Sequence, residues 1–386
     1  MDFTSSGLEN PLSYFLLALF AVQFFAGEER PADGRRLTLL LLTVGAALTC
    51  RNDLLLLILP ALGLALWRAR PLGLARLARA LAIGFAPLAC WMLFSLFYYG
   101  FPFPNTAYAK LSTGIPTLNL CEQGLFYFAN SIRWDPVLFL ALLFSVGLVA
   151  RAKDRLALAL VAGLGLHLIY VVKIGGDFMH GRFLSTAFFL GVICLVRHLP
   201  DARTAARLAL AILIYSAAWP LAPLRGGVHY INTKVDYAGI ADERGYYFPY
   251  TSLWAYLRTP AGAFFPRREA TSNEPKPAGA DRRVETAMAV GFAGYWAGPD
   301  KIIIDRMALC DPLLARLPAL SFWRPGHFAR ALPEGYLESV RSGTNQLVDS
   351  RLRAYYQKLK LVTQGDLLAA GRLKAILELN WNGSCF

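Results

Sequence analysis

Apolar residues fill most of the first 221 positions, in stretches of 14 to 20 separated by short polar breaks. The pattern predicts about eight membrane-spanning helices, near 11–26, 37–50, 54–67, 80–99, 136–150, 156–172, 183–196 and 205–221. At 1.5 Å per residue, a 14-residue run reaches about 21 Å of a hydrocarbon core roughly 30 Å thick. The shorter runs must therefore borrow flanking residues. Arg51-Asn52-Asp53 either interrupts one long run over 37–67 or forms the tip of a helical hairpin.

After residue 224 the pattern changes. The remaining 162 residues carry 21 basic and 15 acidic side chains and no run of span length. That suits one compact α/β domain, so the expected division is 1–224 for a membrane domain and 225–386 for a soluble one. Residues 266–283 read as an exposed loop, 286–292 and 301–305 as strands, and 293–299 as a turn between them. Asp311-Pro312 has the form of a helix start, with an acid at the N-cap and proline at the next position. Helices are expected over 335–342, 349–362 and 366–379. The fold class is thus mainly α, a polytopic helical membrane domain followed by a small α/β domain.

Composition agrees: 56% of residues are hydrophobic and mean hydropathy is +0.41. The net charge of +13 is no nucleic-acid signal, because the basic residues are spread through short loops rather than clustered with exposed aromatics. Their distribution instead sets orientation. With 51–53 as a hairpin tip, loops 27–36, 68–79, 151–155 and 197–207 share one side and hold 13 Lys and Arg, against 5 in the opposite short loops. One long span over 37–67 would spoil that asymmetry. The hairpin is preferred, the basic loops are cytoplasmic, and the C-terminal domain lies on the other face. Cysteine spacing fits no metal site or regular disulfide framework; a Cys310–Cys385 bridge stays open.

Candidate chemistry concentrates at 175–183, Gly-Gly-Asp-Phe-Met-His-Gly-Arg-Phe, between two apolar runs. Asp177, His180 and Arg182 lie where hydrocarbon gives way to water, a costly and usually functional position. An interfacial turn with Arg182 snorkelling to headgroups is the competing structural explanation. Loop 100–135 is rich in aromatics and proline and places Asn105, Tyr108 and Lys110 near the same level. Residues 117–132 suit a helix lying on the membrane surface.

The stretch Gly-Gly-Asp-Phe-Met with Arg182 resembles the signature of bacterial membrane glycosyltransferases of the GT-C class, the group that includes the mycobacterial terminal arabinofuranosyltransferases. Ser-Ser-Gly-Leu-Glu at 5–9, Pro-Asn-Thr-Ala-Tyr-Ala-Lys at 104–110 and a C-terminal series fit the same group. That series is Ile304-Asp305-Arg306, Leu309-Cys310-Asp311-Pro312, Gly326-His327 and Pro333-Glu334-Gly335-Tyr336. The resemblance implies a multi-pass protein of the bacterial inner membrane with a periplasmic C-terminal domain. It also implies transfer of a sugar, such as arabinofuranose, from a polyprenyl-phosphate donor to a glycan or protein acceptor. In that family the Ser-Ser-Gly-Leu-Glu stretch follows several spans and an external loop with the catalytic aspartate. The 386 residues are accordingly expected to lack an N-terminal part and to bind rather than transfer.

Such chemistry needs a carboxylate for the acceptor proton and cations for the departing phosphate. Lys110, Arg182, His180, Asn105 and Tyr108 are the candidates for donor phosphate. Asp177 is placed to orient Arg182, bind sugar hydroxyls or hold a divalent cation, and it is the one candidate catalytic acid of the membrane domain. Asp305, Asp311 and His327 are candidates for acceptor or glycan binding, although capping and packing explain them equally well. No organic cofactor is expected. The competing classes are a transporter or flippase for a lipid-linked sugar and a non-catalytic scaffold with a carbohydrate-binding domain. The near absence of polar residues inside the spans counts against the transporter.

Overall fold

The computed structural model describes residues 7–28, 33–219, 234–260, 283–288, 290–299 and 301–381. The chain is mainly helical. In order it forms α1 (Asn10–Ala26), α2 (Gly34–Cys50), α3 (Leu54–Ala69), α4 (Leu74–Tyr99), α5 (Asn105–Leu111) and α6 (Thr117–Trp134). Next come α7 (Pro136–Ala152), α8 (Arg155–Lys173), α9 (Ser185–Arg197), α10 (Ala202–Ala218), α11 (Glu243–Thr251) and α12 (Leu253–Arg258). The last elements are β1 (Arg283–Ala287), α13 (Gly291–Ala297), β2 (Lys301–Asp305), α14 (Tyr336–Ser342), α15 (Ser350–Gln364) and α16 (Arg372–Trp381).

Every predicted apolar run forms a helix, several of them started by an aspartate. The side chains of Asp33, Asp135, Asp154 and Asp201 accept from the first free N–H groups of α2, α7, α8 and α10, as N-caps do. Among the described residues, though, length and composition suit only Leu54–Leu72, α4 and α8 to crossing a membrane. A fourth crossing is added if α6 and α7 count as one broken span. The other apolar helices, at 13 to 17 residues, fall short of the roughly 20 that a bilayer core asks for. The chain breaks between α2 and α3, where Arg51 is extended at φ −150° and ψ 118°, so 37–67 is a hairpin and not one span.

The chain divides into two compact units, cut differently from the expected boundary at 224. The first comprises Met1–Trp91 and Thr117–Pro249. Its core is aliphatic, with Leu17, Phe20, Leu41, Leu57, Ile58, Leu160 and Leu190 buried. Helices α3 and α8 approach until a Cβ on Gly163 would lie 2.0 Å from the Leu57 carbonyl oxygen, the small-residue contact that lets membrane helices meet. Helix α6 covers the stretch 117–132 expected to be helical. It turns by 102° into α7 and buries Gly124, Tyr127 and Ser131. Residues 234–241 belong here because a short bridge ties Ala241 to Met179.

The second unit comprises Met92–Pro116 and Tyr250–Phe386. Its strands β1 and β2 run parallel, in register from Arg283 opposite Lys301 to Ala287 opposite Asp305. The core gathers Phe101, Ile304, Leu313, Leu314, Tyr336, Leu347, Leu359 and Ile376. Residues 92–116 belong here because two buried arginines hold their carbonyls. Arg372 donates to Phe97 and Tyr98 (2.7 and 2.9 Å), and Arg330 to Ala109 (2.7 Å). Residues 291–297 are helical where the sequence suggested the end of a strand and a turn, and β1 lies three residues earlier than expected. Asp311 starts only a single 3₁₀ turn, Leu314–Arg316. The expected exposed loop, apart from Arg283, and Cys385 lie outside the described residues.

Candidate functional site

The segment after α8 is a tight loop pinned from two sides. Gly175 and Gly176 have φ of +83° and +70°, a region that glycine enters without steric cost. At Gly176 a side chain is also excluded by space, since a Cβ would lie 2.4 Å from the Tyr127 ring. Tyr127 is fully buried. Its hydroxyl donates to the Met179 carbonyl and accepts from the Phe183 N–H, each at 3.1 Å. On the other side, the Ala241 N–H donates to the Phe178 carbonyl (2.8 Å), and the Ala241 carbonyl accepts from His180 N–H (3.1 Å). Asp236 holds that strap by accepting from Ala238 N–H, Ile240 N–H and Asn130 Nδ2.

Held this way, the loop presents its charges to the ends of three other helices. Arg182 Nη2 donates to both Glu9 oxygens (3.0 and 3.2 Å), while its Nη1 lies 3.6 Å from Asp177 Oδ2. Arg51 forks onto Asp53, with Nε to Oδ1 at 3.0 Å and Nη2 to Oδ2 at 2.5 Å. Its Nη1 reaches Glu9 Oε1 at 3.5 Å. The two guanidiniums sit 5.7 and 5.9 Å from the centre of one ring, Phe183. Two cations and three carboxylates thus form one network at the helix ends before α1, between α2 and α3, and after α8.

Burial works to raise the Glu9 carboxyl, but Arg182 and Arg51, with a backbone hydrogen bond, hold it below its ordinary value. At Asp53 burial is again outweighed, here by the charge and hydrogen bonds of Arg51. These acids are ionised at neutral pH.

His180 takes no part in that network. Its Nδ1 lies 2.8 Å from Asn130 Oδ1, and because Asn130 donates through Nδ2 to Asp236, His180 is the donor. Burial pushes its pKa down to about 4, so the ring is neutral and unsuited to act as a cation for phosphate. Trp134 lies against it at 5.5 Å.

The opposite ends of the same helices also meet. Arg197 pairs with Asp154 (2.7 Å) and Glu28 (2.5 Å), and Arg68 donates to the Gly27 and Glu28 carbonyls (3.0 and 2.8 Å). The 19 residues of α8 separate these two ends by about 28 Å, close to a bilayer core.

The comparisons with known proteins bear on this arrangement. Over 86% of its length the chain is 29% identical to the terminal beta-(1->2)-arabinofuranosyltransferase of Mycobacterium tuberculosis. The likeness to terminal arabinofuranosyltransferases suggested by the motifs is therefore real. A second such protein, from Corynebacterium glutamicum, is 27% identical over 65% of the chain. The chain spans 64% and 41% of the lengths of these two relatives. No family model matches the sequence, and no solved structure matches it.

The remaining candidates belong to the second unit. Asn105 spends its amide on the carbonyls of Ala308, Leu309 and Asp311 (3.0 to 3.2 Å) and accepts from Arg316 through Oδ1. Tyr108 packs on Phe101 and under the Arg316 guanidinium, 4.4 Å from its ring centre. Lys110 is half-buried on the same short helix. Asp305 accepts from Met307 and Cys310 N–H, and Asp311 from Leu313 and Leu314 N–H and the Tyr336 hydroxyl. Burial raises the Asp311 pKa to about 6. At His327 burial, with Arg324 and Lys110 nearby, depresses the pKa to about 4. These contacts tie turns together. No cluster of three or more His, Cys, Asp or Glu able to hold a metal ion occurs among the described residues.

Sequence reasoning missed Glu9, Arg51 and Asp53 as members of the site, and Tyr127, Asn130 and Asp236 as its supports. A signal existed for two of these. Arg51 and Asp53 interrupt an apolar run of more than 30 residues, the same argument that singled out Asp177.

Proposed function

We propose that the protein is a membrane glycosyltransferase that moves a sugar, arabinofuranose by the likeness of its relatives, from a polyprenyl-phosphate donor to a cell-envelope glycan acceptor. The arginine pair, Arg182 and Arg51, forms the donor-phosphate edge of the site. The observation that carries this reading is two guanidiniums from separate segments, Arg51 buried and Arg182 15% exposed, converging at one end of an apolar bundle. An extracytoplasmic site has no nucleotide sugars to draw on, so a lipid-carried donor is the chemically consistent one.

In the reaction, the acceptor hydroxyl oxygen bonds to the anomeric carbon as the bond from that carbon to the phosphate oxygen breaks. The hydroxyl proton passes to a carboxylate base, and polyprenyl phosphate departs. The phosphate goes from one negative charge to two, so nearby guanidiniums stabilise the transition state more than the ground state. Asp177, fully buried beside Arg182, positions that cation and is poorly placed to take the acceptor proton. The bundle is read as multi-pass in the bacterial inner membrane. Its Arg197 end is cytoplasmic, and its Arg182 end and the second unit are periplasmic.

Wild-type and Arg182→Ala alleles at the native locus provide the test, with membranes supplied with polyprenyl-phosphoarabinofuranose and an oligosaccharide acceptor. Gain of one pentose by mass spectrometry in the wild type, lost in the variant at equal protein level, is the expected result. Equal transfer by both alleles would remove the arginine pair from the chemistry.

A further inference from the structure

The three acids of the network are not equivalent. Asp53 grips Arg51 with two hydrogen bonds, and Asp177, fully buried, sits against Arg182. These two pairs are neutral as they stand. Glu9 is supernumerary: it adds one negative charge, and its Oε1 bridges the two cations, 3.0 Å from Arg182 Nη2 and 3.5 Å from Arg51 Nη1. Its side chain is 29% exposed, against 16% for Asp53 and 1% for Asp177, so of the three it is the most open to water. Arg182 Nε and Arg51 Nη1 are buried N–H groups that make no hydrogen bond. Glu9 therefore pairs with Arg51 Nη1 by charge at 3.5 Å without a hydrogen bond, and it leaves Arg182 Nε unused.

A phosphodiester matches what Glu9 supplies. It carries a single negative charge and offers two unesterified oxygens in the bite that a guanidinium accepts from a carboxylate. Exchanging one for the other leaves the charge of the network unchanged, whereas adding a phosphodiester beside Glu9 would crowd two anions around the same two cations. We propose that Glu9 holds the place of the donor phosphodiester. The incoming lipid displaces the carboxylate from Arg182 and Arg51, and Arg51 becomes the second ligand of the phosphate.

This rests on reading the cluster as the donor-phosphate edge. The added content is that the site is filled at rest by a side chain of the chain itself. Such occupancy weakens apparent affinity by the fraction of time the site is free, about 10-fold if Glu9 occupies it nine-tenths of the time. Water and stray anions are kept from the paired arginines in the meantime.

The test is calorimetric titration of the purified full chain in detergent with farnesyl methyl phosphate, a singly charged diester, and with uncharged farnesol as the reference. Glu9→Gln is expected to bind the diester about 10-fold tighter than the wild type, with farnesol unchanged. Arg51→Gln and Arg182→Gln should each weaken the diester by about 10-fold or more. Glu9→Asp keeps the charge but shortens the reach, so it should fall between wild type and Glu9→Gln; it serves if the glutamine variant folds poorly. Diester affinity unchanged or weakened in both Glu9 variants, with the arginine variants still defective, would overturn the displacement while leaving the phosphate site in place. If neither the wild type nor Glu9→Gln binds the diester better than farnesol, the donor-phosphate reading itself falls.

Discussion

Both units of this protein bury arginines, and they use them differently. In the second unit Arg330 and Arg372 are almost wholly inaccessible, and their N–H groups go to backbone carbonyls: Leu317, Phe328 and Ala109 for Arg330, and Phe97, Tyr98, Val362 and Leu367 for Arg372. Such an arginine staples distant segments and has little left to offer a ligand. In the first unit Arg51 and Arg182 face carboxylates, one of them partly exposed, and keep buried N–H groups in reserve. Carbonyl partners cannot leave without unfolding the backbone, but a carboxylate on a side chain can swing away. The partner, more than the depth of burial, separates a structural cation from a binding one.

The comparison can be broken most forcefully at Arg182. Arg182→Ala at the native locus should lower transfer about 100-fold or more, since truncating a buried charged contact costs roughly 3 kcal/mol. Circular dichroism of the purified variant should stay near that of the wild type. Arg330→Leu should behave the other way. It strands three carbonyls and should destabilise the second unit by about 3 kcal/mol or more, read by limited proteolysis and thermal melting, while diester affinity stays at the wild-type level. Loss of diester binding in a folded Arg330→Leu protein would erase the distinction.

Two further tests are smaller. Asp311 has a folded pKa of about 6 against an ordinary value of 3.8, so the folded state holds its proton over a range where the unfolded chain has lost it. The sign follows: stability falls as pH rises from about 4 to 6, by on the order of 2–3 kcal/mol, and is level above that. His327 and His180, with depressed pKa values, slope the opposite way over the same range. The measurement is therefore the difference in melting between wild type and Asp311→Asn across pH 4 to 7, and a difference independent of pH would contradict the assignment. Gly176→Ala, at φ +70° against the Tyr127 ring, should cost about 2 kcal/mol or more and weaken diester binding by loosening the loop that carries Arg182. Unchanged binding in that variant would mean the loop tolerates more freedom than the arginine pair requires.

Much of the helical layout was legible in the sequence, because an apolar run between aspartate caps leaves its backbone few alternatives. The hairpin at 51–53 was legible too, from the side to which it sends the basic loops. The membership of the site was not. Glu9 lies 173 residues from Arg182 in the chain, and no local pattern reports that α1 begins beside the loop after α8. Asn105 misled for the converse reason. Its place in an aromatic and proline-rich interfacial loop suggested a ligand, whereas its amide is committed to carbonyls 203 to 206 residues away. The division at 224 failed to show that 92–116 packs with the second unit, since aromatic and proline-rich sequence suits a membrane interface and a soluble core alike.

The most direct measurement is a charge ladder on the wild-type chain in detergent: farnesol, farnesyl methyl phosphate and farnesyl phosphate, carrying none, one and about two negative charges near neutral pH. If Arg182 and Arg51 hold the donor phosphate, affinity rises at each step in the wild type and the slope collapses in Arg182→Gln. Equal affinity for all three probes, or the same slope in wild type and Arg182→Gln, would contradict it.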